Sequence, residues 1–470
     1  MRSLPSMRVF APFLALISIV SASEKPNVLF IFADDMTYEA IGSLGMTEVK
    51  TPNLDKLFSS GTQFTHAYNS GGWNGAICVA SRNMMMTGRH LWYAQEEEKT
   101  MGKRRLWPQL MSDAGYTTYM TGKWHVRMKA EALFDHVGDV RPGMPNQVKT
   151  GYNRPLEGEK DTWNPTDKSN NGFWKGGKHW SEVEADTAVR YLNMAKKDDK
   201  PFFFYLAFNA PHDPRQSPQQ YLDMYPVSDV KVPDNYLDAY PHRKVMKAPH
   251  SLRDEKLAPM PRTKYSVQVA RREYFALITH MDTQIGRVLD ALEKNNQTEN
   301  TYIVFTADHG LGCGHHGLLG KQNMYDHSIR VPYVVVGPEV EAGKRISAPI
   351  YIQDSVPTAL EVAGVEIPEH IQYQSYIPIL RGESSGRDQI YSAYLKDAQR
   401  ALTKEGYKLI LYPGGGIARL YDLKKDPQEK VDLLQQGEGK EVARRLFKAL
   451  KLEAKLHGDA LEFGEYKALK

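Results

Sequence analysis

Residues 26–35 read "PNVLFIFADD", and this segment is the strongest indication of the architecture. It is an apolar run of strand length that ends abruptly in two aspartates. The following "TPNLDKLFSSG", residues 51–61, offers Thr51 as a helix cap, Pro52 in the first turn and Gly61 beyond the end. These two segments predict a buried strand followed by a helix.

The pairing of a helical pattern with a buried strand recurs along the chain. The helical segments at 106–115, 181–195 and 271–295 precede the strand-like segments "YTTYMTG" (116–122), "PFFFYLAF" (201–208) and "TYIVFTADHG" (301–310). Such alternation predicts an α/β fold whose large mixed, mostly parallel sheet is sandwiched by helices.

The sequence pattern changes near residue 386. Short strand-like runs such as "QIYSAYL" and "YKLILYP" precede a helical pattern at 439–456. They predict a smaller C-terminal antiparallel sheet with a helix packed on it. We therefore divide the chain into a catalytic domain at 24–385 and a C-terminal subdomain at 386–470.

Residues 1–23 have the pattern of a signal peptide. Arg2 and Arg8 are followed by an apolar run and then by small residues at Ala22 and Ser23. The apolar run is shorter than the roughly 20 residues that a membrane span requires, and no later segment is long and apolar enough. We expect an exported protein without a membrane span, located in the periplasm, at the cell surface or in the medium.

The net charge bears on the class of binding partner, and the cysteine content bears on disulfide formation. A formal net charge of +4 gives no case for nucleic-acid binding, so any anion site must be built locally. The chain has two cysteines, Cys78 and Cys313. A single disulfide between them and two unpaired thiols, one chemically special, both remain open.

The predicted strands all end in polar residues. In parallel sheets, ligands bind beyond the carboxyl ends of the strands, so these ends should converge on one edge. They are Asp34-Asp35, Gly122-Lys123-Trp124-His125, Asn209-Ala210-Pro211-His212 and Asp308-His309-Gly310.

Two long irregular stretches, 126–180 and 213–264, interrupt the pattern. We interpret them as loops that wall a pocket for an anionic substrate, with solvated insertions as the alternative. Trp163, Trp174 and Trp180 could stack on a sugar, or could be local packing anchors.

The aspartates at the strand ends suggest a metal site. Burying Asp34 beside Asp35 costs several kcal/mol unless a cation neutralises them, although such a pair alone can also mark a turn or a cap. Asp308 and His309 would add ligands, and three carboxylates favour a hard ion such as Ca²⁺ or Mg²⁺. A rival zinc site would use His309 with the three residues Cys313, His315 and His316.

Five further side chains could form a strongly positive pocket with the metal. Such a pocket suits a tetrahedral oxyanion, and phosphate and sulfate esters both qualify. The five are Arg82, Lys123, His125, His212 and Lys321.

At these positions the chain resembles the sulfatase family of the alkaline phosphatase superfamily. "CVASR" at 78–82 is similar to the family signature cysteine-x-proline/alanine-x-arginine, and "GYTTYMTGKWH" at 115–125 resembles its second signature. The remaining family motifs follow in the expected order: "PHDP" (211–214), "ADHG" (307–310), "GKQNMYDHSIRVP" (320–332) and "LYDLKKDPQEKVDL" (420–433).

This resemblance implies a cofactor made from the chain itself. A maturation enzyme would convert Cys78 to formylglycine, whose hydrate attacks sulfur and later collapses to release sulfate. The implied Ca²⁺ ligands are Asp34, Asp35, Asp308, His309 and the oxygen of converted Cys78. Of the implied catalytic residues, Arg82 and Lys123 hold the hydrate, His125 takes the proton that triggers collapse, and His212 and Lys321 bind sulfate and assist departure of the alcohol.

The expected function is therefore an exported sulfatase that hydrolyses a sulfate monoester on a sulfated carbohydrate, either an algal polysaccharide or a glycan of the glycosaminoglycan type. A phosphomonoester or phosphodiester hydrolase on the same scaffold is one alternative. A catalytically silent binder of sulfated glycans is another, and it would require a broken site.

Overall fold

The computed structural model describes residues 25–144 and 148–470. The predicted signal peptide at 1–23 lies outside the described residues, so it stays a prediction. Within the described part, no helix has both the length and the apolar character that a membrane crossing needs.

The described residues form eighteen strands. In chain order they are β1 (Asn27–Ala33), β2 (Thr62–Phe64), β3 (Ala67–Tyr68), β4 (Gly71–Gly72), β5 (Thr117–Lys123), β6 (His136–Arg141), β7 (Phe173–Trp174), β8 (Lys178–His179), β9 (Phe202–Ala207), β10 (Thr301–Ala307), β11 (Arg330–Val331), β12 (Tyr333–Val336), β13 (Arg345–Ile346), β14 (Ile350–Tyr351), β15 (Gln389–Tyr394), β16 (Gln399–Lys404), β17 (Tyr407–Tyr412) and β18 (Ile417–Asp422).

Eleven α-helices accompany these strands in the described residues. They are α1 (Pro52–Ser59), α2 (Ile77–Thr87), α3 (Leu91–Glu98), α4 (Trp107–Asp113), α5 (Trp180–Ala195), α6 (Gln219–Leu222), α7 (Lys264–Lys294), α8 (Asp326–Ile329), α9 (Ser355–Val362), α10 (Ile377–Leu380) and α11 (Lys440–Leu456).

The large sheet confirms the predicted α/β class. Its order is β13-β2-β12-β10-β1-β9-β5-β6, and the neighbours from β10 to β6 run parallel. β12 is antiparallel to both β10 and β2. The apolar run within "PNVLFIFADD" forms β1, which is fully buried near the middle of the sheet.

The helices agree with the sequence patterns except at their starts. α7 begins at Lys264, earlier than predicted, where Thr263 caps it by accepting a hydrogen bond from the Ser266 amide. Thr51 occupies the N-cap position of α1, as predicted, but its hydroxyl accepts from the Gly42 amide rather than from an amide of the helix. Asp282 of α7 accepts from the first-turn amides of α1, and a partner so remote in sequence leaves no local signal.

The smaller C-terminal antiparallel sheet is also confirmed, with one addition. Its order is β18-β17-β16-β15-β4, so the two-residue strand β4, far earlier in the chain, pairs in parallel with β15. Gly71 permits this approach, since a Cβ at that position would lie 2.0 Å from the Ala393 carbonyl oxygen. The division of the chain at residue 385 stays a prediction.

The strand β4 leads directly into α2, which packs on the C-terminal sheet. Ala80 and Met84 of α2 share a hydrophobic cluster with Leu402 and Leu409 of that sheet and with Leu446 of α11. The C-terminal sheet therefore supports the helix that carries Cys78.

Candidate active site

The four predicted strand ends meet at one edge of the large sheet, as expected. β1 lies between β9 and β10, and β5 follows β9. The Asp35 amide donates to the carboxylate of Asp308 at 3.2 Å, and the Asp34 amide donates to the Ala210 carbonyl oxygen at 3.0 Å. Direct hydrogen bonds thus link the ends of neighbouring strands.

Cys78 lies in the first turn of α2, facing this edge. Its side chain is buried, and Sγ lies 3.2 Å from Nδ1 of His125. Potential ligand atoms of Asp34, Cys78, Asp308 and His309 all lie within 4.8 Å of one another. The sequence therefore correctly predicted that position 78 belongs beside the acidic strand ends.

The acidic side chains are surrounded by the predicted cations. Lys123 forms an ion pair with Asp34, Lys321 binds both carboxylate oxygens of Asp35 at 2.7 and 2.9 Å, and Arg82 donates from Nε to Asp308 at 3.1 Å. Burial opposes ionisation of Asp34, but the charges of Lys123, His212 and Arg82 hold its pKa well below the usual range. This carboxylate stays ionised and can serve as a ligand.

The donor set fits a hard divalent cation. Asp34 and Asp308 share one cluster of potential ligands with Cys78 and His309, and Asp34 shares a second cluster with Asp35 and His212. All three carboxylates are buried, and Oδ1 of Asp34 has no hydrogen-bond partner. An unsatisfied buried carboxylate oxygen is costly, and a metal ion would satisfy it. Oxygen donors of this kind suit Ca²⁺ better than a softer metal.

His125 is held as a neutral base. Burial and the neighbouring charge of Lys123 lower its pKa to about 3. The residue adopts a left-handed conformation, with φ of 54°, just beyond the end of β5. Backbone conformations of this kind recur at functional sites, and here the ring lies beside Sγ of Cys78.

His212 and Lys321 lie on the other side of Asp35. Nε2 of His212 is 3.6 Å from Oδ2 of Asp35, and its Nδ1 is 2.9 Å from Oδ1 of Asp213. With Cys78 and His125, these two residues line a pocket of about 290 Å³. The rest of the lining comprises Gly75, Ala76, Met144, Leu252, Arg253, Asp254 and Gln322.

Sequence reasoning missed four polar residues that hold the site together. Arg253 forms an ion pair with Asp213, while Gln322 donates to the carboxylate of Asp254 at 2.8 Å and to the Gly75 carbonyl at 2.9 Å. Asp213 directly follows His212 in "PHDP", a local signal that could have been used. Arg253 and Asp254 come from the irregular stretch at 213–264, whose path the sequence does not predict.

The alternative zinc site is not assembled. Among the described residues, the groups that could hold a metal include His309 but not Cys313, His315 or His316. His315 and His316 instead contact Asn235 and His327. The disulfide is also absent, since Cys78 and Cys313 are both free thiols.

The loop tryptophans are packing anchors rather than free sugar platforms. Trp163 and Trp180 are buried, Trp174 stacks on Trp180 with ring centroids 3.9 Å apart, and Arg141 lies 3.9 Å from the Trp180 ring. Their stacking faces are therefore occupied by the protein itself.

Comparison with known proteins identifies the family. The sulfatase family model matches residues 26–365, and the model for the C-terminal region of N-sulphoglucosamine sulphohydrolase matches residues 314–455. An N-acetylglucosamine-6-O-sulfatase of Bacteroides thetaiotaomicron is 26% identical, over 93% of this chain and 88% of that protein. An ulvan-active sulfatase of Formosa agariphila is 26% identical, over 94% of this chain and 82% of that protein.

A solved structure supports the fold independently. It is a protein in complex with its substrate D-glucosamine-2-N,6-O-disulfate, with a TM-score of 0.73 and 24% identity over 93% of this chain and 99% of that chain. Fold and site together define an ester hydrolase of the alkaline phosphatase superfamily. Within that class, the chain belongs to the sulfatase family and is a sulfuric ester hydrolase.

Proposed function

We propose that the protein is an exported sulfatase that removes sulfate from a carbohydrate, using formylglycine made from Cys78 and one Ca²⁺ ion. The observation that carries the proposal is the position of Cys78, whose Sγ shares a cluster with Asp34, Asp308 and His309. The cysteine of the "CVASR" signature therefore lies beside side chains that could bind a cation.

Asp34, Asp35, Asp308 and His309 would hold the ion with the oxygen of converted Cys78. A bound Ca²⁺ would neutralise charge on the sulfate oxygens, and hydrated formylglycine would supply two hydroxyl groups on one carbon. A maturation enzyme is the partner that this chemistry requires.

The remaining side chains orient and move protons. Arg82 is fully buried and donates from Nη1 to the Lys123 carbonyl at 2.8 Å, and the Lys123 ammonium group forms an ion pair with Asp34. Both cations stabilise negative charge on the side chain at position 78. His125, neutral at ordinary pH, accepts a proton from the same side chain.

His212 and Lys321 act on the substrate. Both line the pocket on the side of Asp35, so each can reach a sulfate held above Cys78. The positive charge of Lys321 favours the anion, and a proton delivered to the ester oxygen assists departure of an alcohol. A sugar alkoxide is a poor leaving group and needs this assistance.

The relatives support a carbohydrate substrate. Those named above are described as acting on N-acetylglucosamine and on ulvan. A pocket of about 290 Å³ accommodates a small sulfated unit rather than a folded macromolecule.

The first test is the chemical state of position 78, read by peptide mass spectrometry. Protein produced with a maturation enzyme should contain an aldehyde in place of the thiol, and should hydrolyse aryl sulfate in preference to aryl phosphate. Cys78→Ser should lose sulfatase activity, whereas Cys313→Ser, which changes the other thiol, should retain it. Preference for phosphate together with full activity of Cys78→Ser would support a phosphoester hydrolase instead.

Export is proposed on the pattern at 1–23 alone. The mature N-terminus of protein recovered outside the cytoplasm should begin just after Ala22 or Ser23. An intact N-terminus on that protein would contradict signal-peptide cleavage.

A further inference from the structure

We propose that Asp213 and Arg253 form a positioning pair that fixes the orientation of His212 for release of the alcohol. The inference rests on the proposed function, because it concerns the residue assigned there to the leaving group. Neither Asp213 nor Arg253 belongs to the clusters that could hold the ion. Asp213 contacts His212 directly, and Arg253 acts on His212 through Asp213.

The contacts form a continuous chain from the pocket mouth to the acidic centre. Arg253 donates from Nε and Nη2 to Oδ2 of Asp213 at 3.0 and 2.5 Å. Nδ1 of His212 lies 2.9 Å from Oδ1 of the same carboxylate and 2.8 Å from the Asp213 carbonyl oxygen. Nε2 of His212 consequently points towards Asp35 and the pocket.

The two carboxylate oxygens of Asp213 contact different residues. Oδ2 is occupied by Arg253, while Oδ1 lies 2.9 Å from Nδ1 of His212 and shares this nitrogen with the Asp213 carbonyl oxygen at 2.8 Å. A carboxylate that accepts from Nδ1 fixes the tautomer and the ring plane, as in other histidine sites where a carboxylate lies behind the ring. Both side chains are almost fully buried, so water cannot easily replace this contact.

Arg253 also keeps the carboxylate in place. Its side chain is 26% exposed and lines the pocket, and Nη1 also donates to the Met144 carbonyl at 3.4 Å. The arginine therefore anchors Asp213 to the loops that wall the pocket. A fork of two donors constrains a carboxylate more tightly than a single ammonium group would.

Asp213→Asn is the informative change because an amide has only one acceptor oxygen. If this oxygen faces Arg253, the amide NH₂ faces the Nδ1 proton of His212, and the reverse orientation leaves Arg253 facing NH₂. Either arrangement disfavours the native ring orientation while preserving side-chain volume.

The experiment compares two sulfate esters of different leaving groups on formylglycine-containing enzyme. A nitrophenyl sulfate needs little assistance at its leaving oxygen, whereas a simple alkyl sulfate needs much. We expect Asp213→Asn and Arg253→Met to lower kcat/KM for the alkyl ester roughly 10- to 100-fold. For the nitrophenyl ester the loss should stay within a few fold, and Arg253→Lys should recover part of the alkyl activity.

The control is Asp432→Asn, in the segment that follows β18 of the C-terminal sheet. Asp432 likewise accepts from an arginine, Arg419, at 3.2 Å, but lies outside the pocket. This control should leave the ratio of the two activities unchanged.

Equal losses on both esters, or no loss on either, would overturn the positioning role. An unmodified Cys78 or an inactive wild type would instead contradict the proposed function, so the two failures are distinguishable.

Discussion

At the scale of single residues, the site is a balance of buried charges. Asp34 is paired with Lys123, Asp35 with Lys321, and Asp308 with Arg82. The sequence identified these residue types and their strand ends, because an abrupt polar end of an apolar run is a local pattern. It could not show which cation pairs with which carboxylate, since each pairing joins distant segments.

The first prediction concerns metal removal. If Ca²⁺ occupies the cluster, its binding free energy adds to stability, and a chelator should lower Tm reversibly. At a Ca²⁺ concentration of about 100 times Kd, binding raises the free energy of unfolding by about 2.7 kcal/mol. Asp308→Asn should abolish the Ca²⁺-induced rise in Tm, measured by calorimetry, whereas Asp432→Asn should retain it. An equal Ca²⁺ response in both variants would contradict the assigned ligands.

At the scale of elements, the helices and strands of the large sheet follow their periodicity closely, and the exceptions come from remote partners. The start of α1 is capped by Asp282 of α7, and the edge of the C-terminal sheet is β4, only two residues long. A helix can be predicted from its own pattern, but a two-residue strand of glycines has no pattern to detect. The sequence therefore predicted both sheets, but it did not predict β4, the strand that connects the C-terminal sheet to α2.

The residue that follows α11, His457, packs against the ring of a second histidine. The His457 ring lies 4.2 Å from that of His90, the residue before α3, and also contacts the Tyr391 ring at 5.0 Å. Burial is the main cause that lowers the pKa of His457 to about 4 and that of His90 to about 2. Both rings are therefore neutral in the folded protein at ordinary pH.

The second prediction is a pH dependence of stability. The folded pKa of His457 is below its unfolded value of about 6.5, so its contribution is complete above pH 6.5 and is lost as pH falls towards 4. The free energy of unfolding of wild type minus that of His457→Phe should fall by up to about 3 kcal/mol over this interval. Urea unfolding at several pH values measures it, and a constant difference would contradict the neutral buried ring.

At the scale of the whole molecule, a buried ion cluster joins the C-terminal sheet to the catalytic part. Lys408 of β17 is fully buried and contacts Asp326 at 2.5 Å and Glu429 at 2.8 Å. Asp326 opens α8, which follows Lys321 closely in the chain, and its amide donates to Glu429 at 2.7 Å. The three residues come from separate segments, so their association could not be predicted from a local sequence pattern.

The third prediction tests this cluster. Lys408→Met leaves two carboxylates buried together, and breaking a buried ion pair on one side costs about 3–5 kcal/mol. The double variant Lys408→Met/Glu429→Gln should recover part of the loss, because one carboxylate is then neutral. Urea unfolding of wild type, both single variants and the double variant measures the coupling. Purely additive losses would contradict a shared charge cluster.

The pairing of Gly71 with Ala393 also has a consequence for how the protein is made. A ribosome completes α2 long before it delivers β15, so the nascent polypeptide carries position 78 on a helix that still lacks the sheet beneath it. The ester-cleaving centre can reach its final shape only after the last strands emerge, even though every proposed ligand and catalytic side chain has already been synthesised.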